Sequence, residues 1–515
     1  MIPYGRHEIT KSDIDAIVAV LNSDLLTQGP MVPRFEKAVS EYCSAQHALA
    51  VNSATSALHI ACLALDLGLG DWLWTTPTSF VASANCALYC NASVDFVDID
   101  PRTYNICPQA LEQKLIEAEK LGCLPKIVIP VHLCGQPCDM LAIYSLVQRF
   151  GFKIIEDASH AIGGKYKGEP IGNCRYSDIT IFSFHPVKII TTGEGGMALT
   201  NSSIIADRML RYRVHGITND ASKMHPRPVD EIWNYQQINL GFNYRMTDLQ
   251  AALGLSQLQR LDEIVAERNR QFQIYRELLT MLPVHLLAVP DDVLSSLHLA
   301  VIRFADPRPE HHRRVFEGLR DSGIGVQLHY SPVHLHPYYR QLGFGEGDFP
   351  EAEAYARNAI SLPLYPGLTL VDQQRVDLLL RGVAEIEGEQ EVVNRFSDGV
   401  VLDPHVLVVY PFAGFFYVSP DNKELADAVT AGFEKIIRDG SYQQLLESQV
   451  YTSWLRDRLK LKQRHVIFIP NPEAHGVLDV VSPQDWIVPW GLLADGTVQT
   501  GEQLCTIPGL AALCN

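Results

Sequence analysis

The chain has 515 residues, of which 47% are hydrophobic and 20% are charged, a composition typical of globular rather than disordered or membrane-spanning proteins. With roughly 150 residues per domain, this length predicts about three domain-sized units. Lys and Arg total 42 against 59 Asp and Glu, and the net charge of −17 argues against a broad nucleic-acid-binding surface while leaving anionic small molecules open.

The cysteines and the N-terminal residues indicate a protein of a reducing compartment. The 11 Cys are odd in number and form no CxxC pair, so buried free thiols are expected rather than a disulfide framework or a zinc ribbon. Residues 1–8 lack the apolar stretch of a signal peptide. The longest apolar stretch, Val406 to Val418, is interrupted by Pro411 and Gly414 and is too short to span a bilayer. We therefore expect a cytoplasmic location.

The first predicted element is an amphipathic helix with Ile14, Ile17, Val18 and Leu21 at helical spacing after Ser12, a candidate N-cap. From about residue 46 to residue 200, short β-rich runs alternate with helical ones. The strand predictions are Val94 to Ile99, Lys126 to Val131, Lys153 to Glu156 and Asp178 to Ser183. Strands separated by helices predict an α/β fold with a mostly parallel sheet, whose polar site lies at the carboxyl ends of the strands.

The pattern becomes helical after Asn243, and a long helix from Asp248 to Leu279 is predicted to lead into a smaller domain. That domain would hold a strand at Leu299 to Phe304. The acidic stretch Ile386 to Glu391 then marks a boundary. We predict three units, over residues 1–247, 248–385 and 386–515.

Three segments place polar groups directly after predicted strands. The first, Asn52 to Leu58, is rich in small hydroxyl residues and leads into a helix, whose free N–H groups can bind a phosphate. The second segment contains Asp157 at the end of an apolar strand, and the third contains Lys188 in a loop between two strands. Taken singly, Thr55 could only cap this helix, Asp157 could be a turn carboxylate and Lys188 a solvated loop amine. Their order along the chain suits pyridoxal 5′-phosphate (PLP), because a lysine forms the Schiff base, a carboxylate keeps the pyridine nitrogen protonated and a helix N-terminus takes the phosphate.

Six motifs in order carry a resemblance to a known family. They are Leu26 to Pro30, Asn52 to Leu58, Thr76 to Asn85, Glu156 to Ala161, Ser183 to Gly196 and Gly241 to Asp248. Over about residues 1–385 the sequence resembles the fold-type-I aminotransferases that act on nucleotide-linked keto sugars, the DegT/DnrJ/EryC family. The resemblance implies a large PLP-binding domain with a mostly parallel sheet, a small α+β domain and a homodimer with shared active sites.

The resemblance also implies roles for individual residues in binding PLP. Lys188 matches the lysine that bonds to the cofactor and moves the proton, and Asp157 matches the partner of the pyridinium nitrogen. Phe80 matches the aromatic side chain stacked on the ring, and His160 a polar contact on the side of the ring hydroxyl. The phosphate cup corresponds to Ala54, Thr55 and Ser183, together with Asn243 of the partner subunit. Some relatives carry histidine in place of the lysine and are sugar dehydratases, so Lys188 favours transamination.

The substrate is inferred from finer similarities within the family. The motifs around Tyr4, Lys188 and His329 are most similar to the branch that aminates C4 of UDP-2-acetamido-2,6-dideoxy-β-L-arabino-hexos-4-ulose with L-glutamate, in pseudaminic acid biosynthesis. Ile189 departs from the proline expected after the lysine, which alters loop stiffness more than chemistry. The residues that the resemblance assigns to the UDP-sugar are Tyr4, Asp24, Leu25, Leu26, Thr27, Gln327, Leu328, His329 and Tyr330.

Two alternatives stay open at this point. The substrate could be another keto sugar nucleotide, such as a 3-keto or a D-configured 4-keto sugar. The chain could also be a ligand sensor with a silent PLP domain, although such a protein need keep neither Lys188 nor Asp157. A metal site is not expected, because His329, His334 and His336 have no Cys or carboxylate at ligand spacing.

The last 130 residues carry a separate resemblance. Tyr410 to Phe412, Phe416 to Ser419, Asp439 to Tyr442 and Asn471-Pro472 are similar to the final part of periplasmic solute-binding proteins of the amino-acid type. Such proteins bind ligands between two lobes, and only the later part of one is present. We expect an accessory module without a ligand of its own, with a regulatory binding module as the alternative.

Overall fold

The computed structural model describes residues 1–380, except 227, 229, 230, 232 and 306–308, and three later strands. The chain divides into two units, Met1–Ile386 and Glu387–Asn515. The further division of the first unit at residue 247 stays a prediction. In the part of the chain that the structure describes, no helix is long and apolar enough to cross a membrane.

The elements of the first unit alternate between helix and strand over much of their length. The α-helices are α1 Lys11–Leu21, α2 Met31–Cys43, α3 Ala54–Ala64, α4 Ala82–Tyr89, α5 Pro108–Leu121, α6 Met140–Phe150, α7 Ser203–Arg213, α8 Asp248–Leu258, α9 Leu261–Leu278, α10 Pro309–Asp321, α11 Pro337–Arg340 and α12 Pro350–Asn358. The strands are β1 His47–Val51, β2 Trp72–Thr75, β3 Ser93–Phe96, β4 Ile127–Ile129, β5 Lys153–Asp157, β6 Lys165–Tyr166, β7 Glu169–Pro170, β8 Ile179–Ser183, β9 Gly196–Thr200, β10 Ile217–Thr218, β11 Gln236–Gln237, β12 Val284–Leu286, β13 Val293–Leu294, β14 Ala300–Phe304 and β15 Ala359–Leu362. Short 3-10 helices occupy Leu133–Gly135, Leu279–Met281 and Val333–Leu335.

A seven-stranded sheet in the order β1-β9-β8-β5-β4-β2-β3 forms the centre of this unit. Strands β8, β5, β4, β2 and β3 are parallel, and β9 runs antiparallel to both of its neighbours. Alternate side chains of β5 and β8 enter different apolar cores, with Ile155 and Ile181 on one face and Ile154 and Phe182 on the other. The predicted α/β fold with a mostly parallel sheet is confirmed.

Helix α1 forms where the sequence predicts it, but its cap and its environment differ. The N-cap is Thr10 rather than Ser12, in a capping box with Asp13. The predicted apolar stripe is largely exposed, at 52% for Ile14 and 56% for Leu21. The first unit by itself therefore does not cover this face.

The long helix predicted from Asp248 to Leu279 is wrong, because the structure has two helices, α8 and α9, that meet at Gln259 and Arg260. Polar groups around this break reach α1, where the buried Asp13 accepts hydrogen bonds from Ser256 and Gln257 and pairs with Arg260 at 3.0 Å. No glycine or proline marks the break, so the sequence pattern continued through it.

A smaller sheet follows, in the order β12-β14-β15. Its central strand begins at Ala300, one residue after the predicted start. The guanidinium of Arg268, on α9, is buried and donates to the carbonyl oxygens of Leu297, His298 and Leu364. This side chain therefore ties the segment before β14 to the segment after β15.

In the second unit the structure describes strands β16 Val406–Val409, β17 His465–Phe468 and β18 Val498–Thr500. β16 and β17 are parallel, and β18 pairs antiparallel with β17. All the positions that carry the solute-binding resemblance, 410–412, 416–419, 439–442 and 471–472, lie outside the described residues, so that resemblance stays a prediction.

Candidate active site

The ends of four strands meet at one edge of the large sheet. β5 and β8 are parallel neighbours, so Asp157 and Ser183 both lie at their carboxyl ends. β9 is antiparallel and begins at this edge with Gly196, which pairs with Val51 at the end of β1. The topology therefore brings together the three polar segments that the sequence singled out.

A cavity of about 420 Å³ opens at this edge. Most of the predicted site residues line it: Tyr4, Ala54, Thr55, Phe80, Asp157, His160, Ser183, Lys188, His329 and Tyr330. The cavity thus contains the amine, the carboxylate and the helix N-terminus that the sequence analysis required.

The N-terminus of α3 forms one wall. The Ser53 hydroxyl caps the helix by accepting from the amide of Ser56 at 3.1 Å, and the preceding backbone N–H groups of the first turn have no partner within the helix. Gly196 packs directly against this turn, because a Cβ there would lie 2.5 Å from the amide nitrogen of Ala54. This cradle of small residues and free N–H groups suits a phosphate.

Asp157 is buried and is held by uncharged groups. In the described chain its carboxylate accepts hydrogen bonds from the Ser83 hydroxyl at 2.6 Å and from the Ser159 amide at 3.1 Å. Ser79 extends the chain of hydroxyls at 2.8 Å from Ser83. A fixed buried carboxylate facing a cavity suits a cationic N–H group of a ligand.

The preceding residue, Glu156, faces the other side of the sheet and anchors the strand. It accepts from His132 Nε2 at 2.8 Å, from Thr180 at 3.1 Å and from the Ser177 hydroxyl. Burial raises the pKa of the Glu156 carboxyl, but His132 and the two hydroxyls outweigh burial and hold that pKa below its ordinary value. This network fixes the end of β5, and with it the position of Asp157.

Lys188 carries the amine of the cavity. Burial lowers the pKa of its ammonium to about 8, while the negative charge of Asp157 opposes that shift. At pH 7 a pKa of about 8 leaves roughly one amine in ten neutral, far more than for an ordinary lysine. The side chain can therefore act as a nucleophile and as a base near neutral pH.

Aromatic side chains and histidines also line the cavity. The Tyr330 hydroxyl lies 3.3 Å from His160 Nε2, and the ring centroids of Tyr330 and Phe80 are 6.1 Å apart. The Tyr4 ring packs against His329 at 5.1 Å. Phe80 lines the cavity and is 57% exposed, so its ring lies where the cavity meets the protein surface.

The other predicted site residues do not line this cavity. Asn243 is exposed and pairs with Val214. The exposed segment Asp24 to Thr27 lies apart from the cavity, and two of its residues line a separate surface groove with Arg34. Gln327 and Leu328 precede His329 without reaching the cavity lining.

Sequence reasoning missed Ser83, which holds Asp157, and His298, which lines the cavity from the segment before β14. Ser83 lies within the quoted Thr76 to Asn85 motif, so its position in that motif was an available signal. His298 stands between two leucines in no recognised motif. Among the described residues, no group of His, Cys, Asp and Glu could hold a metal ion.

Comparisons with known proteins agree with this geometry. The model of the DegT/DnrJ/EryC1/StrS aminotransferase family matches residues 7–380. The chain belongs to this family. The predicted family and its fold-type-I architecture are therefore confirmed, and members of this family depend on PLP.

Two relatives and one solved structure show how far the similarity extends. The chain is 37% identical to the spore coat polysaccharide biosynthesis protein SpsC of Bacillus subtilis, over 75% of this chain and 97% of that protein. It is 35% identical to the UDP-4-amino-4,6-dideoxy-N-acetyl-β-L-altrosamine transaminase of Campylobacter jejuni serotype O:2, over 75% of this chain and 98% of the relative. The PLP form of Spr1654 from Streptococcus pneumoniae superposes with a TM-score of 0.68 at 29% identity, covering 75% of this chain and 98% of that one.

This family member is a PLP-dependent sugar aminotransferase that acts on nucleotide sugars. The cavity fits the cofactor, because a partly desolvated amine, a buried carboxylate and a helix N-terminus cradled by Gly196 line one space. The predictions of the cofactor and of the general reaction are therefore confirmed.

Proposed function

We propose that this aminotransferase moves the amino group of L-glutamate to C4 of UDP-2-acetamido-2,6-dideoxy-β-L-arabino-hexos-4-ulose, as in pseudaminic acid biosynthesis. The observation that carries the reaction is that Lys188 and Asp157 face one cavity beside the α3 N-terminus. The choice of sugar is supported by the family motifs around Tyr4 and His329 and by the name of the Campylobacter relative.

Each residue of the cavity has a proposed task. Lys188 would hold PLP through its amine, and the same amine, when free, would take the proton from the α-carbon of L-glutamate. Asp157 holds the pyridine nitrogen protonated, and His160 contacts the side of the ring hydroxyl. Bound PLP supplies an electron sink that stabilises negative charge at that carbon. Phe80 covers the ring face and excludes water from it.

The phosphate of PLP is proposed to sit at the start of α3. Ala54, Thr55 and Ser183 line the cavity, and they supply backbone N–H groups and two hydroxyls as donors. A dianion is stabilised there by the positive end of the helix. Asn243 of the partner subunit is proposed to complete this cup.

A homodimer with shared active sites is part of the proposal. On α1 and the turn that follows, Ile14, Val18, Leu21, Leu25 and Leu26 are 45–56% exposed. Several large apolar side chains exposed on one short stretch of chain are typical of a subunit interface. The exposure of Asn243 away from its own cavity supports its use by a second copy of the chain.

The UDP-sugar is proposed to enter on the side of Tyr4, His329 and Tyr330, which already line the cavity. The remaining assigned residues are Asp24, Leu25, Leu26, Thr27, Gln327 and Leu328. They lie outside this cavity, and their assignment rests on the family motifs together with the proposed dimer.

A second candidate is transamination of a different keto sugar nucleotide. The 37% identity to SpsC, a protein of spore coat polysaccharide biosynthesis, supports this second candidate. The cavity wall near Tyr4 decides which face of the keto carbon meets the cofactor, so product stereochemistry discriminates between the candidates.

The test begins with the absorption spectrum of the purified protein, with Lys188→Ala as its control. We expect a yellow cofactor band that bleaches on addition of L-glutamate in the wild type and not in the variant. The bleached enzyme is then offered a panel of UDP-linked 3-keto and 4-keto sugars, and the product is identified by NMR. Bleaching followed by amination of a 3-keto or D-configured sugar would replace the proposed substrate, and a protein that binds no PLP would favour the sensor alternative.

A cytoplasmic location is proposed as well. The nine described cysteines are free, and seven of them are buried. Free thiols of this number are typical of a reducing compartment.

A further inference from the structure

The imidazole of His298 forms part of the cavity wall, yet the proposed reaction assigns it no task. The residue lies in the segment between β13 and β14 and is 4% exposed. Its ring packs against the ring of His160, with centroids 4.4 Å apart. The small-sheet region of the unit thus supplies a second histidine directly beside the one expected near the PLP ring.

Backbone contacts fix where His298 lies. The Ser296 amide donates to the carbonyl of Gly135 at 3.1 Å, and Arg268 donates to the carbonyl of His298 itself at 3.4 Å. A Cβ at Gly135 would lie 2.8 Å from the carbonyl oxygen of His160 and 3.1 Å from the amide of His298. The glycine, with φ at +87°, therefore allows the two histidine-bearing segments to approach each other closely.

The surroundings of the two rings select one tautomer. In the described chain, Nδ1 of His160 and Nδ1 of His298 are both fully buried and have no hydrogen-bond partner. A buried N–H donor without a partner costs more than a bare acceptor nitrogen, so the proton of each neutral ring belongs on Nε2. Nε2 of His160 lies 3.3 Å from the Tyr330 hydroxyl, and Nε2 of His298 is the nitrogen left to face the cavity.

Both rings are neutral at pH 7. Burial lowers the pKa of His160 well below its ordinary value, and the nearby Lys188 ammonium lowers it further. Burial likewise lowers the pKa of His298, assisted by His160, Lys188, Arg268 and His329. The two imidazoles therefore act as uncharged N–H donors rather than as cations.

We propose that His298 is a further ligand-binding residue of this enzyme, and that its Nε2–H donates to one anionic oxygen of the ligand beside the His160–Tyr330 pair. This inference rests on the proposed function. Two ligands bring such an oxygen, namely the ring phenolate of PLP and the α-carboxylate of the amino donor. Donors held in place by packing stabilise an anion in a desolvated cavity without reorganising.

Two variants separate the hydrogen bond from the packing of the ring. His298→Gln keeps an N–H donor at the reach of Nε2, whereas His298→Phe keeps a flat ring and removes the donor. His298→Leu serves as a second donor-free variant, and thermal unfolding by circular dichroism verifies that each protein is folded. Each apo protein is titrated with PLP and with 3-deoxypyridoxal 5′-phosphate, which lacks the ring hydroxyl, and binding is followed by fluorescence quenching.

If the phenolate is the partner, His298→Phe weakens PLP binding by about tenfold or more, His298→Gln recovers most of the loss, and the deoxy analogue binds all proteins alike. If the carboxylate is the partner, PLP affinity is unchanged. The L-glutamate concentration for half-bleaching then rises about tenfold in His298→Phe, while propylamine, which lacks a carboxylate, reacts as with wild type.

The inference is wrong if His298→Phe matches the wild type toward both ligands, or if His298→Gln loses more than His298→Phe, which is the result that a packing role predicts. Failure of the wild type to bind PLP would instead contradict the proposed function. The two failures are therefore distinguishable on the same set of titrations.

Discussion

Replacement of Gly196 by alanine is expected to damage the phosphate cup selectively. A Cβ at residue 196 would lie 2.5 Å from the amide nitrogen of Ala54 and 2.7 Å from the carbonyl oxygen of Ser53. Both neighbours are backbone atoms, which cannot move aside as a flexible side chain can. The first turn of α3 must therefore shift away from β9.

The size of the shift follows from the contact distance. Ordinary contact begins at 3.4 Å, so the turn must retreat by 3.4 − 2.5 = 0.9 Å. A displacement of this size breaks at least one hydrogen bond to a bound phosphate, and a hydrogen bond to a charged group contributes about 1.5–3 kcal/mol. We expect Gly196→Ala to weaken PLP binding about 10- to 100-fold, and overpacking to lower the free energy of unfolding by about 1–3 kcal/mol.

The assay is a titration of the apo protein with PLP and, separately, with pyridoxal, which has the same ring and aldehyde but no phosphate. Gly196→Ala should lose affinity for PLP and retain its weak affinity for pyridoxal. Gly68→Ala is the matched control, because nothing lies within 4 Å of a Cβ at that position. Equal PLP affinity in Gly196→Ala and wild type would refute the assignment of the α3 N-terminus as the phosphate site.

Three further predictions concern charge and assembly. The rate at which the apo enzyme reacts with PLP, followed by stopped flow, should rise with pH through a midpoint near 8, because only the neutral Lys188 amine attacks. Asp157→Asn should lower that midpoint, because it removes the negative charge that favours the ammonium. The same midpoint in both proteins would contradict this coupling between the two charges. Glu156, whose carboxyl pKa is lowered, contributes stability above its ordinary pKa of about 4.3 that is lost as pH falls through the lowered value. Glu156→Gln should therefore lower the free energy of urea unfolding by about 1–3 kcal/mol at pH 7 and by progressively less in acid, and a pH-independent difference would argue against this account. Leu21→Glu should convert the dimer to monomers in light scattering, whereas Leu69→Glu, at a position 92% exposed, should not; a dimeric Leu21→Glu protein would place the interface elsewhere.

The break between α8 and α9 shows where local pattern failed. Both sides of Gln259 have helical spacing, and neither proline nor glycine intervenes. The polar contacts at the break are made to Asp13, more than 240 residues earlier. Hydrophobic periodicity reports only the local preference for helix, so it could not detect a bend associated with a distant carboxylate. The acidic residues at the start of α9 are nevertheless a typical signal for the start of a helix.

The exposed stripe of α1 illustrates the same limit. Regular apolar spacing correctly predicted the helix, but the pattern does not say which surface will cover it. The usual assumption is the core of the same subunit, and the structure leaves Ile14 and Leu21 more than half exposed instead.

The sequence by itself determined that a helix start, a carboxylate and an amine each follow a strand, in this order along the chain. That was possible because strand periodicity and strand-end polar residues are local features, and because parallel strands bring their carboxyl ends to one edge. Only the tertiary structure decided that Ser83 holds Asp157, that Gly196 shapes the turn of α3, and that His298 stands against His160. These contacts join residues far apart in the chain, and their energies depend on distances and burial that exist only once the segments are packed together.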